Sequence, residues 1–208
     1  MSAMLPTAPP LLSVVGLSSA YGGPYHLDLA QGECVAVMGA SGTGKSVFLR
    51  LVADMDPSRG QVELQGRSRE DWTAPQWRRQ VVYQAAESAW WAPSAREHVS
   101  AAQLNDALAL LPQLGLEAGV LDTPTDRLST GERQRLSLVR SLVRNPRVLL
   151  LDEPTASLDL ASTLTMEGLL RSRIDAGLSI VWVTHSPEQA ARVASRCFDL
   201  INRRLVLR

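Results

Sequence analysis

The chain has 208 residues, 45% of them apolar, with 21 lysines and arginines balanced by 21 aspartates and glutamates. Such a length holds one domain with a full core, and a net charge of zero excludes a partner gripped mainly through a phosphate backbone, so no nucleic acid is expected. Two distant cysteines (Cys34 and Cys197) in apolar runs, no apolar stretch near the ~18 residues of a membrane span and no secretory signal at Met1 to Pro6 together predict a cytoplasmic protein with buried, reduced thiols.

Residues 1 to 10, with Pro6, Pro9 and Pro10, read as a loose lead-in. Leu11 to Leu17 reads as a first strand, Ser18 to Pro24 as a turn holding Tyr21, and Tyr25 to Leu29 as a second strand. Gln31-Gly32 then turns into the short apolar run Glu33 to Met38, a buried strand. The next eight residues, Gly39-Ala40-Ser41-Gly42-Thr43-Gly44-Lys45-Ser46, fit the phosphate-loop pattern G-x-x-x-x-G-K-[ST], and Val47 to Ala53 reads as the helix that follows. Strand, glycine-rich loop and helix is what the chemistry requires. Glycines let the backbone approach phosphate oxygens, and N–H groups at the helix start point at the anion. Lys45 would reach the β- and γ-phosphates and Ser46 would take a place on Mg²⁺.

Asp56 to Gly60 is a turn and Gln61 to Leu64 a half-exposed strand, so the first third predicts an antiparallel strand layer beside a nucleotide core. Val81-Val82-Tyr83 is a short buried strand. From about 85 to 144 the chain is rich in alanine and leucine and predicts helices at about 95–104, 105–114 and 131–144. The unbroken run Val148 to Leu151 predicts a strand covered on both faces. A helix at about 161–176, a strand Ser179 to Val183, a helix at about 188–195 and two short strands follow. Strands alternating with helices predict an α/β fold with a mainly parallel sheet. One domain over 1–208 is expected, with a nucleotide core at about 11–84 and 145–208 and a helical subdomain at about 85–144.

Two further clusters carry chemistry. Asp152 and Glu153 end a buried strand, where ligands of open α/β sheets bind. Beside a phosphate loop, the first acid suits a Mg²⁺ ion and the second an attacking water. Ser129-Thr130-Gly131-Glu132 opens a helix, and a Ser-x-Gly there both caps the helix and offers N–H groups and a hydroxyl to an anion.

In their order along the chain these motifs resemble the nucleotide-binding subunit of ATP-binding-cassette (ABC) transporters. Gly39 to Ser46 is similar to the family's Walker A loop, Gln84 to its Q-loop glutamine, and Leu128-Ser129-Thr130-Gly131-Glu132 to its signature. Leu149 to Glu153 resembles Walker B with its catalytic glutamate, Ala156 to Asp159 the D-loop, and His185 the switch histidine, while Tyr21 matches the aromatic residue that stacks on adenine. The resemblance implies ATP hydrolysis with Glu153, His185, Lys45 and Gln84 as catalytic residues and Mg²⁺ at Ser46, Gln84 and Asp152. It also implies two copies closing head to tail over two ATP molecules, so that Ser129, Thr130, Gly131 and Glu132 act on the partner's nucleotide. A membrane permease would hold the chain on the inner face of the cell membrane.

The sequence departs from the family at two positions. Val47 replaces a threonine whose hydroxyl would touch the α-phosphate, and Thr130 replaces a glycine of the signature. The turn before Leu29 is short for the family, which makes Tyr25 an alternative to Tyr21. Four tryptophans, Trp72, Trp77, Trp90 and Trp91, surround Gln84, and two readings stand: they pack the helical segment onto the core, or Trp90 and Trp91 form a patch for the permease's coupling helix. The most similar subtype reads as small iron-exporter ATPases. A soluble ABC ATPase of translation or DNA repair and a non-catalytic regulator are the alternatives.

Overall fold

A computed structural model describes residues 9–208; the lead-in expected at 1–10 lies mostly outside the described residues. In chain order the first elements are β1 (Leu12–Ser19), β2 (Gly22–Leu29), β3 (Cys34–Met38), α1 (Lys45–Val52), β4 (Arg59–Leu64) and β5 (Arg67–Ser68). α2 (Ala74–Gln80), β6 (Val81–Gln84), α3 (Leu104–Leu110), α4 (Thr130–Leu142) and β7 (Val148–Asp152) follow, then α5 (Leu160–Asp175), β8 (Ser179–Val183), α6 (Pro187–Val193), β9 (Arg196–Ile201) and β10 (Arg204–Leu207).

The strands form two sheets. One is antiparallel, in the order β2-β1-β4-β5. The other runs β10-β9-β3-β8-β7-β6, parallel throughout except for the β9–β10 hairpin. Every residue of β3, β7 and β8 is buried, as the unbroken apolar runs predict for strands covered on both faces.

Alternation along those strands feeds two cores. Val181, Val183, Leu150 and Val81 face α1 and the antiparallel sheet, with Phe48, Leu51 and Trp77. Ile180, Trp182, Leu149, Leu151 and Val82 face the other way, against Leu138, Leu114 and Met166. The side on which a strand-end residue lies therefore decides which layer it serves.

Of the helices expected between 85 and 144, the one at 131–144 forms as α4 and the one at 105–114 is shortened to α3, while the one at 95–104 breaks up into short turns. Single 3₁₀ turns occupy 95–98, 101–103, 112–114 and 118–122. Ser94 with Glu97 and Ser100 with Gln103 each close a capping box, and Pro112 with left-handed Gly115 stops the run. The sequence reading gave no helix at Ala74–Gln80, yet Thr73 and Gln76 cap α2. α2 exists to seat Trp77, which is fully buried and whose Nε1 donates to the Val52 carbonyl at 3.0 Å. Trp72 lies edge-on to it at 6.3 Å, so these two tryptophans belong to the layer beneath α1 and not to the helical segment. Cys34 is buried and burial pushes its thiol up to about 12, whereas Cys197, expected buried as well, is only half-buried on β9; both are free.

Candidate active site

The carboxyl ends of β3, β8 and β7 lie side by side in the sheet, and each carries one part of the site. The loop after β3 turns through Gly39 (φ 147°) and Gly44 (φ 104°), left-handed backbone that a side chain would strain. Lys45, 6% exposed, folds its side chain back so that Nζ donates to the carbonyls of Gly39 (2.8 Å) and Ala40 (3.0 Å). Thr43 Oγ1 also donates to the Ala40 carbonyl, at 2.9 Å. The loop is thus held closed by its own side chains, with Ala40, Ser41, Gly42 and Ser46 exposed at its rim. Val47 is half-buried and packs on the core below α1.

Asp152, 4% exposed, ends β7 on the same face as Leu150 and so looks toward the α1 layer. Its Oδ2 accepts a hydrogen bond from the Tyr83 hydroxyl at 3.0 Å. Burial, and then the adjacent Asp152 charge, push the Tyr83 phenol well above its ordinary range. Glu153 follows in left-handed backbone at φ 46°, costly for a glutamate and held from two sides. Its N–H donates to the Val183 carbonyl at 3.0 Å, and its carbonyl accepts from Gln134 Nε2 of α4 at 3.1 Å. The twist throws the Glu153 side chain toward His185, with Oε2 at 3.3 Å from Nδ1.

Gln84 stands apart from the expected metal set. It is 3% exposed, and neither amide atom has a hydrogen-bond partner among the described residues. Alternation places it with Val82, and it lines a groove of about 1010 Å³ against Ser137 and Ser141 of α4 rather than the Asp152 face. A buried amide with four unmet hydrogen-bonding positions is expensive, and such groups mark places completed by something else.

The same groove carries Trp91, 77% exposed, while Trp90 beside it is half-buried and packs on the second core. His98 meets both indoles edge-on, at 5.0 Å from Trp90 and 4.3 Å from Trp91. The Arg140 guanidinium lies over the two rings at 4.5 and 5.1 Å and donates to the Ala89 carbonyl at 2.9 Å. Burial, then Arg140, hold His98 below its ordinary range, so it is neutral at pH 7.

At the start of α4, Ser129 Oγ accepts from the Glu132 N–H at 3.2 Å, while Glu132 Oε2 accepts from the Ser129 N–H (2.8 Å) and hydroxyl (2.7 Å). Those Ser129 hydrogen bonds hold the Glu132 carboxyl below the usual range. Ser129 and Thr130 are exposed, and Thr130 is the first helical residue with no positive φ, so its branched side chain is unstrained. Gly131 faces Ser157 and Leu158 of the following loop. Asp159 caps α5 by accepting the Ser162 N–H at 2.7 Å, which lowers its carboxyl. At the β1–β2 turn Tyr21 is 77% exposed, whereas Tyr25 is fully buried against Phe48 at 5.0 Å. The alternative adenine residue is therefore a core residue, its ring on Phe48 and its hydroxyl beside Gly44 of the phosphate loop.

The sequence reading missed a polar network behind His185. Thr184 Oγ1 donates to Gln189 Oε1 (2.8 Å), and Gln189 Nε2 donates to Thr155 Oγ1 and Glu167 Oε1 (both 2.9 Å). Arg192 closes it with two bonds of 2.8 Å to Glu167. Burial opposes the charge on Glu167, but these donors outweigh it and its carboxyl lies below the usual range. Its one local signal was Ser186-Pro187, a helix cap that puts Gln189 at the third position of α6.

The profile of the family described as "ABC transporter" matches residues 23–156. The chain belongs to the ABC transporter family. It is 38% identical, over 90% of its length and 74% of the relative's, to "Cobalt import ATP-binding protein CbiO" of Rhodobacter capsulatus. It is 36% identical, over 82% of its length and 57% of the relative's, to "Aliphatic sulfonates import ATP-binding protein SsuB" of Cupriavidus necator. The fold matches a solved ATP-binding cassette, a dimer in a post-hydrolysis state with ADP and Pi, at a TM-score of 0.80 and 24% identity, covering 93% of this chain and 96% of that one. This ABC chain is an ATPase of α/β architecture, and no helix among its described residues is long and apolar enough to cross a membrane. The expected iron-exporter subtype finds no support: both relatives are named for import.

Proposed function

We propose that the protein is the ATP-hydrolysing subunit of an importer, working as a pair of copies on a separate membrane permease from the cytoplasmic face. The observation that carries this reading is the alignment of the phosphate loop, Asp152–Glu153 and His185 at three neighbouring strand ends, with Glu153 aimed at His185. Tyr21 stacks on adenine, and the backbone from Gly39 to Val47 wraps the phosphates. Lys45 leaves its carbonyl partners for the β- and γ-phosphates. Glu153 accepts a proton from the attacking water, and His185 keeps that carboxylate oriented.

Mg²⁺ prefers hard oxygen donors and few protein ligands, which suits the Ser46 hydroxyl and the Asp152 carboxylate. When bound it offsets charge on the terminal phosphates. Gln84 joins that set only by turning from the α4 face, and its two unpartnered amide atoms give it reason to. The second copy supplies Ser129, Thr130, Gly131 and Glu132 over the γ-phosphate, with Asp159 at the seam. The permease seats on Trp90 and Trp91, beside Gln84. On this reading the segment 85–144 is a subdomain that moves against the core at 11–84 and 145–208. The substrate is left to the permease; nucleic acid has no part.

The test is reconstitution with a membrane protein encoded beside this chain. Trp91→Ala should leave the ATPase of the isolated chain within about twofold and remove its stimulation by the membrane protein. Full stimulation in the variant, or no complex with any such protein, would sink the transport reading.

A further inference from the structure

Tyr83 and Gln84 are neighbours on β6 whose side chains alternate: Tyr83 packs on the core beneath α1, with an edge on the groove, and Gln84 follows Val82 toward α4. β6 pairs with β7 in parallel, Tyr83 opposite Leu150. Asp152 therefore lies two residues further along the neighbouring strand, on Tyr83's own face. That diagonal is reached by a long side chain and not by a short one. The phenol spans it and donates to Asp152 Oδ2 at 3.0 Å.

This bond has consequences for the carboxylate. A carboxylate that is 4% exposed needs donors, and Tyr83 is the one side chain that supplies one among the described residues. With Oδ2 committed, the rotamer is fixed and no donor occupies Oδ1 among the described residues. Partners that orient a metal ligand usually tune metal affinity about as strongly as a weak ligand does. The tyrosine is also tied covalently to Gln84, whose own contacts are in the groove of Trp91 and Arg140. A shift of that segment moves the hydroxyl on Asp152.

We propose that Tyr83 is a positioning residue of the magnesium–nucleotide site, its hydroxyl holding the Asp152 carboxylate so that Oδ1 is presented to the ion. This rests on reading the chain as a Mg²⁺–ATP enzyme. The probe is a fluorescent ATP analogue titrated into the whole chain, wild type and Tyr83→Phe, once with Mg²⁺ and once with EDTA. The phenylalanine keeps the ring and its packing, and circular dichroism checks the fold.

In the wild type, Mg²⁺ should tighten binding; in Tyr83→Phe, the EDTA affinity should stay within about twofold while the gain from Mg²⁺ shrinks about tenfold. An unchanged gain would overturn the proposal, because the hydroxyl would then do nothing for the ion. A larger gain would overturn it too, since the hydroxyl would be competing with the metal. Equal losses with Mg²⁺ and EDTA would make Tyr83 merely structural. If the wild type itself shows no gain from Mg²⁺, the enzyme reading fails, an outcome distinct from the other three.

Discussion

Replacing Gly131 with alanine separates what α4 does for the fold from what its first turn does for the nucleotide. A methyl built on Gly131 would lie 3.4 Å from Leu158 Cδ2 and 3.6 Å from the Ser157 carbonyl, both ordinary contacts, and the residue is helical with no positive φ. The substitution therefore fits, and exchanging glycine for alanine in a helix gains about 0.5 kcal/mol so near the end. For a chain of this length that raises Tm by about 1–2 °C. On the proposed reading, in which this turn closes on the partner's γ-phosphate, the same methyl crowds that approach from the side of Ser157 and Leu158. Alanine keeps its N–H, so the loss comes from the methyl holding the phosphate away from that donor, and a lost contact of this kind costs about a hundredfold in rate or more. Thermal unfolding followed by circular dichroism and steady-state ATPase across a range of protein concentrations give both numbers. Gly131→Ala with wild-type ATPase would refute the reasoning, because the start of α4 would then not close on nucleotide. A Tm lower by several degrees would refute it differently, by showing that the glycine serves the fold.

Lys45→Ala should lower ATP affinity at least about tenfold, as expected for a charge-assisted contact to phosphate, and equilibrium dialysis with labelled ATP checks it. Trp77→Ala removes a fully buried indole and leaves the Val52 carbonyl without its donor; the cost of about 3–5 kcal/mol should lower Tm by about 10 °C with little change in rate per folded molecule. The Glu167 carboxyl keeps its charge to lower pH when folded than when unfolded. Its stabilisation is therefore present above the unfolded value near pH 4.5 and lost as pH falls through the folded one. Urea midpoints measured from pH 7 down to pH 3 should drop less steeply for Glu167→Gln than for the wild type, and parallel curves would remove Glu167 from the acid response.

The strands and the phosphate loop were legible because their signals are local. A five-residue apolar run such as Cys34 to Met38, followed by glycines at Gly39 and Gly44, leaves little choice of structure. The same holds for Ser129 with Glu132, a capping box readable from spacing alone. What escaped depends on layers that meet only in three dimensions. α2 was hidden because its reason, the Trp77 bond to Val52, spans 25 residues. Tyr21 and Tyr25 could not be told apart by position, yet one is exposed on the turn and the other is packed on Phe48. The Gln189 network joins residues from α5, α6 and the loops after β7 and β8, and Tyr83 meets Asp152 only because two parallel strands set them on one face. The departure at Thr130 carries no backbone strain, since helical backbone accepts a branched residue there.

The central claim is that this chain holds half of each ATP site and that hydrolysis at Glu153 reopens a closed pair. Sedimentation velocity on Glu153→Gln with and without Mg²⁺–ATP tests it most directly. A glutamine keeps the size of the side chain and its reach to His185 while removing the proton acceptor, so the rate should fall at least about a hundredfold. The account predicts a monomer without nucleotide, a dimer with ATP, and a return to monomer with ADP. A Glu153→Gln chain that stays monomeric in saturating ATP, or that hydrolyses it at the wild-type rate, would contradict the account.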